Sequence, residues 1–434
     1  MAFAPFGQFF MNSTYDFQYF QGNSFSDLFA QDNTDARCAF ILNYPATASW
    51  AAYPNKKKYF LQDGSGEATK TSFDKICQKE PWKNLAVLGD AIPGVVIIEP
   101  QKLLIDYWRE HFGFSYSNMQ MLDCSTYLDD LSESDRVDNV ITLFPFDNLK
   151  PEKHAVHPDT HYHLLSKVTL AQLGVQCPKY ESYNLHEVNL EDIKLPEQFP
   201  YLIKTSHGIS GEGTYIIKSA SDLNYCLEEL RKYLKIELLD TIIVSEFVKN
   251  VVENYCVQFY VNKAGDITLI GTTRQLVTPE GNYLGGVIHY HETDMSRFFE
   301  MIAAIAQYAH QQGYFGFVGF DVLEDKDGQF YAIDANFRVN GSTPLCLQRH
   351  TLLGLGKEVA SYSSDYRMDG TLDSILVSLK TELDRKDFII LSALEKVKYG
   401  KIYTDIYGIV TGETVEDMQH IEQSLQDKGL QFVG

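Results

Sequence analysis

Between residues 36 and 145, short apolar runs alternate with segments of helical spacing. CAFILNY, LAVLGD, GVVIIEP and NVITLFPF each have the length and apolar continuity of a buried strand. QKLLIDYWREHFGF instead places Leu104, Tyr107, Trp108 and His111 or Phe112 on one face of a helix. This rhythm predicts a small α/β domain. The polar DNLKPEKHAVHPDTH reads as a connector. YHLLSKVTLAQLGVQCPKYESY predicts a helix closed by Gly174, then a strand after Pro178. Strands dominate from there to about residue 350, broken by two helices. One is SDLNYCLEELRKYLK, with Ser221 or Asp222 as N-cap, and the other is DMSRFFEMIAAIAQYAHQQG. The last stretch predicts a helix in LDSILVSLKTELD, two short strands around YGKIYTDIYGIVTG and a helix in TVEDMQHIEQSLQDKG. Residues 1 to about 30 are aromatic and polar without period, an arm or a cover. The predicted division is 1–155, 156–360 and 361–434, the last a small α+β cap.

At 434 residues the chain exceeds one ordinary core, and 44% hydrophobic residues suffice for more than one. A formal charge of −21 repels nucleic acid and anionic membranes, so any polyanion has to be met in a local cationic pocket. Seven dispersed cysteines without a CxxC pair suit reduced thiols in a cytoplasmic enzyme. The first residues lack a basic, then apolar, leader pattern, and the longest apolar runs are of strand length. A cytoplasmic location is expected.

Three stretches carry candidate chemistry. In LIKTSHGISGEGTYIIKS, Lys204 on a strand precedes a loop holding Gly208, Ser210, Gly211, Glu212 and Gly213, with a second strand after it. Backbone N–H groups in such a loop can approach an anion closely, and the lysine adds charge. The same pattern also suits a glycine hairpin with no ligand. In TIIVSEFVKNVVENY, the strand exit at Glu246-Phe247-Val248 can offer N–H and C=O groups to a purine edge, and Glu253 can take ribose hydroxyls. Taken alone, the stretch reads better as a surface turn with two solvated glutamates. In FVGFDVLEDKDGQFYAIDANFRVNG, a hairpin can set Asp321 beside Asp334, with Asn336 and Arg338 following on the same face. Two carboxylates and an amide oxygen are hard ligands suited to Mg²⁺ bridging phosphates, and the guanidinium can grip an oxyanion. The alternation Asp334, Asn336, Arg338, Asn340 puts polar groups where a structural strand would place apolar ones. His154, His157, His161 and His163 lack a helix or knuckle to fix them, so no zinc site is expected and His157 and His161 should be replaceable.

In this order, with Lys167 ahead of them, these residues resemble the ATP-grasp superfamily over about 160–345, with spacings similar to D-alanine–D-alanine ligase and carbamoyl-phosphate synthetase. The overall layout is similar to amino-acid and peptide ligases such as that of pheganomycin biosynthesis. The resemblance implies an α/β (α+β) ATP-grasp fold with an N-terminal pre-ATP-grasp domain and a C-terminal cap. It implies ATP with Mg²⁺, two ions, replaceable by Mn²⁺. Lys167 and Lys204 would contact phosphates under the 208–214 loop. Glu246 and Val248 would meet adenine, Glu253 the ribose, and Asp321, Asp334 and Asn336 the metal. Arg338 or Arg274 would stabilise the oxyanion, because Gly319 stands where the D-alanine ligase type has an arginine. Asp334 replaces the more usual glutamate. The implied reaction joins a small-molecule carboxylate to an amine, of amino acids or peptides, through an acyl phosphate, in a homodimer. A carboxylase or kinase on the same core, and a silent nucleotide-binding regulator, stay open.

Overall fold

The computed structural model describes residues 17–48, 51–62, 73–209, 211–279, 281–291 and 295–433. Residues 1–16 of the predicted arm, and Ser210 of the glycine loop, lie outside them.

Three sheets organise these residues. The first is four-stranded and parallel, in the order Gln120–Met121, Gly94–Val96, Cys38–Ile41, Asn139–Thr142. Beside it the helix Lys102–Phe112 buries Leu104, Ile105, Tyr107, Trp108 and Phe112, the predicted face, and ends at Gly113 with φ +78°. LAVLGD is not a strand. Its first residues finish the helix Glu80–Ala86, and the rest is a turn. A short apolar run that is buried all round has no period to separate helix from strand.

The second sheet is antiparallel, in the order Tyr180–Asn184, Thr241–Glu246, Tyr201–Thr205, Thr214–Ile217. With the helix Ala220–Lys235 it closes a separate core around Ile203, Ile217, Leu230 and Val244. The N-cap is Ser219, whose hydroxyl accepts from the Asp222 N–H. The helix before this sheet starts earlier than predicted, at Pro158 inside the supposed connector. It breaks at Ser166, and a 3₁₀ segment, Lys167–Gln172, follows.

The third sheet has ten strands. Its antiparallel path runs Phe330–Asn336, Gly316–Asp325, Val251–Val261, Ile267–Val277, Tyr283–His289, Val359–Asp369, Lys401–Gly412, Phe388–Lys398. The last two are eleven- and twelve-residue strands rather than short ones, and LDSILVSLKTELD makes two short helices, Leu372–Ser378 and Lys380–Asp384. One apolar core runs from Phe25 to Leu430 and joins the N-terminal segment to this sheet. At that junction the Trp108 indole donates to the Ile390 carbonyl (3.1 Å), and the Ile390 N–H donates to the Tyr107 hydroxyl (3.0 Å). Among the described residues no helix is long and apolar enough to cross a membrane.

Candidate active site

A cavity of about 350 Å³ opens between the antiparallel sheet, the ten-stranded sheet and the N-terminal segment. That is the size range of small-molecule sites. Its floor is the hairpin Gly316–Asn336. There Asp321 and Asp334 are direct cross-strand partners, and Asn336 pairs with Gly319. A bulge between Asp321 and Val322 leaves Ile333 unpaired. The Ile333 carbonyl accepts from Lys204 Nζ at 3.2 Å.

The floor is dense in charge. Lys167 Nζ lies 3.2 Å from Asp334 Oδ2, and Gln275 Nε2 donates to Asp321 Oδ1 at 2.6 Å. Burial, then the neighbouring Asp334 charge, push Asp321 up to about 7. Burial pulls Lys204 down to about 8, a fall that Asp334 opposes. Arg338 Nη2 donates to Asn336 Oδ1 at 2.7 Å, and its guanidinium lies 5.1 Å from the Phe144 ring centroid. Its Nε and the Oδ1 of Asn254, another lining residue, are buried without a hydrogen-bond partner among the described residues. Orphaned polar atoms on a cavity wall are what a polar ligand would satisfy.

The alternation read from the sequence stops short. The strand ends at Asn336, and Arg338 and Asn340 lie beyond it in a bend that keeps both on the cavity wall. Gly319 has a steric reason: a Cβ there would stand 2.3 Å from Asn340 Nδ2. The Asn340 amide, donating to the Arg338 carbonyl at 2.8 Å, fills the space next to Gly319.

The glycine loop joins two paired strands, with Lys204 opposite Thr214. Gly208 passes so close to the Glu212 carbonyl that a Cβ would sit 2.1 Å from its oxygen. The loop base is tied to the N-terminal segment, where the Gln62 N–H donates to the His207 carbonyl and the Ile209 N–H to the Gln62 carbonyl. Gly208, Gly211 and Glu212 line the cavity; Gly213 does not, its place being packed against the Thr205 side chain. Glu246, Phe247 and Val248 also line it, beside Leu202, Ile216 and Leu323.

Two expected residues are not brought to the cavity. Arg274 Nε lies 3.6 Å from Glu253 Oε1, and neither residue lines the wall. A bulge between Val251 and Glu253 shifts the strand's parity, so Val251, Asn254 and Cys256 line the cavity and Glu253 does not. On the next strand Gln275 and Val277 take the inward positions and exclude Arg274. Gln275 and Asn254 line the cavity without standing among the residues expected from the sequence. Gln275 shares one face of its strand with Val277, and its side chain reaches Asp321 across the intervening strand Val251–Val261. The histidines serve separate ends. His154 Nε2 accepts from the Phe146 N–H, His157 caps a helix, His161 is buried on the Phe337 carbonyl at 2.8 Å, and His163 meets the Tyr308 hydroxyl. His161 is therefore structural and not freely replaceable.

The donor set fits a hard divalent cation in kind: two carboxylates and an amide oxygen, with one carboxylate raised by burial and then by its neighbour. Among the described residues no group of three or more His, Cys, Asp and Glu side chains is assembled, so such an ion would draw further ligands from water and phosphate.

Residues 178–336 match the family model for "L-aspartate--L-methionine ligase, ATP grasp". A curated relative, the RNA-directed RNA polymerase L of Rice stripe virus (isolate T), is 28% identical over 167 residues, 36% of this chain. The chain spans only about 5% of that polymerase's length. Among solved structures, the L-amino acid ligase from Bacillus licheniformis superposes with a TM-score of 0.52 at 12% identity, over 92% of this chain and 98% of that one. The biotin carboxylase domain of 2-oxoglutarate carboxylase from Hydrogenobacter thermophilus, solved with MgADP and bicarbonate, does so with a TM-score of 0.52 at 12% identity, over 92% and 91%. Residues 178–336 thus match a model of an ATP-grasp ligase family, and the likeness to the solved structures shows a shared fold over most of the chain.

Proposed function

We propose that the chain is an ATP-dependent ligase that joins the carboxylate of one amino acid or peptide to the amine of another. The observation that carries this reading is the cross-strand pair Asp321–Asp334, set in one cavity with Lys167, Lys204 and Arg338. Adenine fits between Leu202, Ile216, Phe247 and Leu323, with the backbone of Glu246 and Val248 at its edge. Lys167, Lys204 and the 208–214 loop, Gly208 and Gly211 on the wall, then meet the phosphates. Asp321, Asp334 and Asn336 would hold Mg²⁺, which supplies neutralisation of charge developing on the phosphoryl oxygens.

A substrate carboxylate oxygen attacks the γ-phosphorus, and the bond to the β-phosphate oxygen breaks to release ADP. The amine nitrogen then attacks the acyl carbon, phosphate leaves with the electron pair, and the nitrogen loses its proton. The chain's part is positioning and charge. Arg338 faces both the acyl phosphate and the oxyanion, and Arg274, off the wall, is left out. No side chain is required as nucleophile.

The test is ADP and phosphate release from Mg²⁺-ATP with amino acids and short peptides, singly and in pairs, with mass spectrometry of the products. Release that requires a pair, and a product lighter than the two by one water, supports the reading. Release that requires bicarbonate instead replaces it with a carboxylase.

A further inference from the structure

The cavity extends beyond the residues assigned to nucleotide. The N-terminal segment contributes Tyr44, Ile76, Lys75, Glu80 and Lys83, and the ten-stranded sheet contributes Tyr283 and Tyr362. This part of the wall is aromatic and apolar except for its three charges.

Among the described residues five cationic side chains line the cavity, and four are already engaged. Lys83 Nζ lies 2.5 Å from Glu80 Oε2, deep in the wall, and 5.8 Å from the Tyr362 ring centroid. Burial pushes the Glu80 carboxyl up, but Lys83, Lys75 and Lys79 outweigh it and hold it below its ordinary value, so this one carboxylate is ionised and faces three lysines. Lys167 is on Asp334, Lys204 on the Ile333 carbonyl and Arg338 on Asn336. Lys75 is the remaining cation, and no ion pair or hydrogen bond holds it among the described residues.

Lys75 is also firmly placed. It opens a π-helical turn, Lys75–Lys79, a rare form often found at functional sites. Asp74, just before it, binds Lys396 at 2.9 Å, and Lys396 also reaches Asp405 at 3.1 Å. Lys79 sits 4.8 Å from the Tyr407 ring centroid. The turn is thereby clamped to the C-terminal strands, and its first residue is left facing the cavity. Glu80 supplies one negative charge against Lys75, Lys79 and Lys83 together, so the wall keeps a positive excess that a further anion can meet at Lys75.

We propose that Lys75 selects the amine substrate by holding a carboxylate that the reaction leaves intact. This rests on the ligase reading above. The nucleotide phosphates have Lys167 and Lys204, and the reacting carboxylate has Arg338, so the anion left for Lys75 is a third one. The apolar wall of Tyr44, Ile76 and Tyr362 takes the body that carries it. The amine substrate is then an α-amino acid with an apolar side chain, and the product keeps a free C-terminus.

The test is equilibrium titration, in the presence of Mg²⁺ and a non-hydrolysable ATP analogue, with L-phenylalanine, L-methionine and their carboxamides. The wild-type chain should bind the acids and bind the amides on the order of 10- to 100-fold more weakly, the worth of one charge-assisted contact. Lys75→Gln should lose the same factor for the acids and nothing for the amides, Lys75→Arg should regain most of it, and affinity for the ATP analogue should not move. Acids and amides binding alike, neither binding, or Lys75→Gln binding acids as the wild type does, overturns the assignment. The two readings separate cleanly. Turnover at an unchanged KM in Lys75→Gln removes the subsite and keeps the ligase. Acid–amide discrimination without ADP release from any pair keeps the subsite and removes the ligase.

Discussion

The cavity's floor and its N-terminal wall are built by opposite routes. The floor is one hairpin, Gly316–Asn336, and its key pair is set by strand register alone. The wall joins Tyr44, Lys75 and Lys83 to Tyr283 and Tyr362, residues some 200 or more positions apart. Register is a local property, because a one-residue slip would turn every floor side chain over. The wall exists only once the N-terminal segment has docked on the ten-stranded sheet through contacts such as Trp108 on Ile390. On the reading proposed above, chemistry belongs to the local element and selectivity to the assembled one.

The sharpest way to break this division is Asp334→Asn. It keeps the strand and the volume but removes one floor charge and the partner of Lys167. Loss of a metal carboxylate costs several kcal/mol of barrier, so ADP release should fall by about three orders of magnitude, with an unchanged far-ultraviolet circular dichroism spectrum. Normal turnover would remove the metal assignment.

The same division explains what was legible. Asp321, Asp334 and Asn336 could be read because period two and a turn suffice to place them. The glycine loop and the Glu246–Val248 exit were likewise local features. Glu253 lies off the wall because a bulge at Val251–Glu253 reverses parity, and no residue type there announces a bulge. Arg274 carries the charge an oxyanion needs, but the strand's inward positions belong to Gln275 and Val277. Lys75 could not have been singled out, since its meaning depends on which other cations find partners. LAVLGD failed for a related reason: burial on all sides erases the period that would identify the helix.

Lys204→Ala sharpens the boundary between floor and loop. Lys204 projects from the strand that leads into the glycine loop, yet its ammonium rests on the floor at Ile333. Removing one charge-assisted phosphate contact should raise the nucleotide Kd by on the order of 10- to 100-fold, read by titration. An unchanged Kd would refute the phosphate role. Because burial holds Lys204 at about 8, ADP affinity measured without metal should be flat below that pH and weaken above it, as the ammonium is lost. Lys204→Arg should abolish the break.

Three buried histidines test whether the two sides fail together. Burial pulls His154, His161 and His207 down to about 4. They support the Phe146 backbone, the floor at Phe337 and the loop base beside Tyr162. In the unfolded chain each takes up a proton near 6.5. Between pH 6.5 and 4 the unfolded state therefore binds more protons, and stability falls as pH falls, by up to ~1.4 kcal/mol per pH unit for each histidine. Thermal midpoints from pH 7 to 4 should show this decline as one cooperative transition if floor and wall share their core. Two separating transitions would show that they unfold independently.

The smallest effect expected is at Glu253. The sequence puts its carboxylate on the ribose; the structure puts it 3.6 Å from Arg274, off the wall, with the arginine side chain half exposed. A partly exposed ion pair of that kind is worth about 0–1 kcal/mol. Glu253→Ala should therefore leave the KM for ATP within about threefold, and Arg274→Ala should leave kcat within the same range. Asn254, whose buried Oδ1 has no partner, is the residue that the shifted parity offers to the nucleotide instead. Asn254→Ala should weaken ATP binding more than Glu253→Ala does. The reverse order would mean that the strand loses its bulge when the nucleotide binds, and that the sequence had described the bound state.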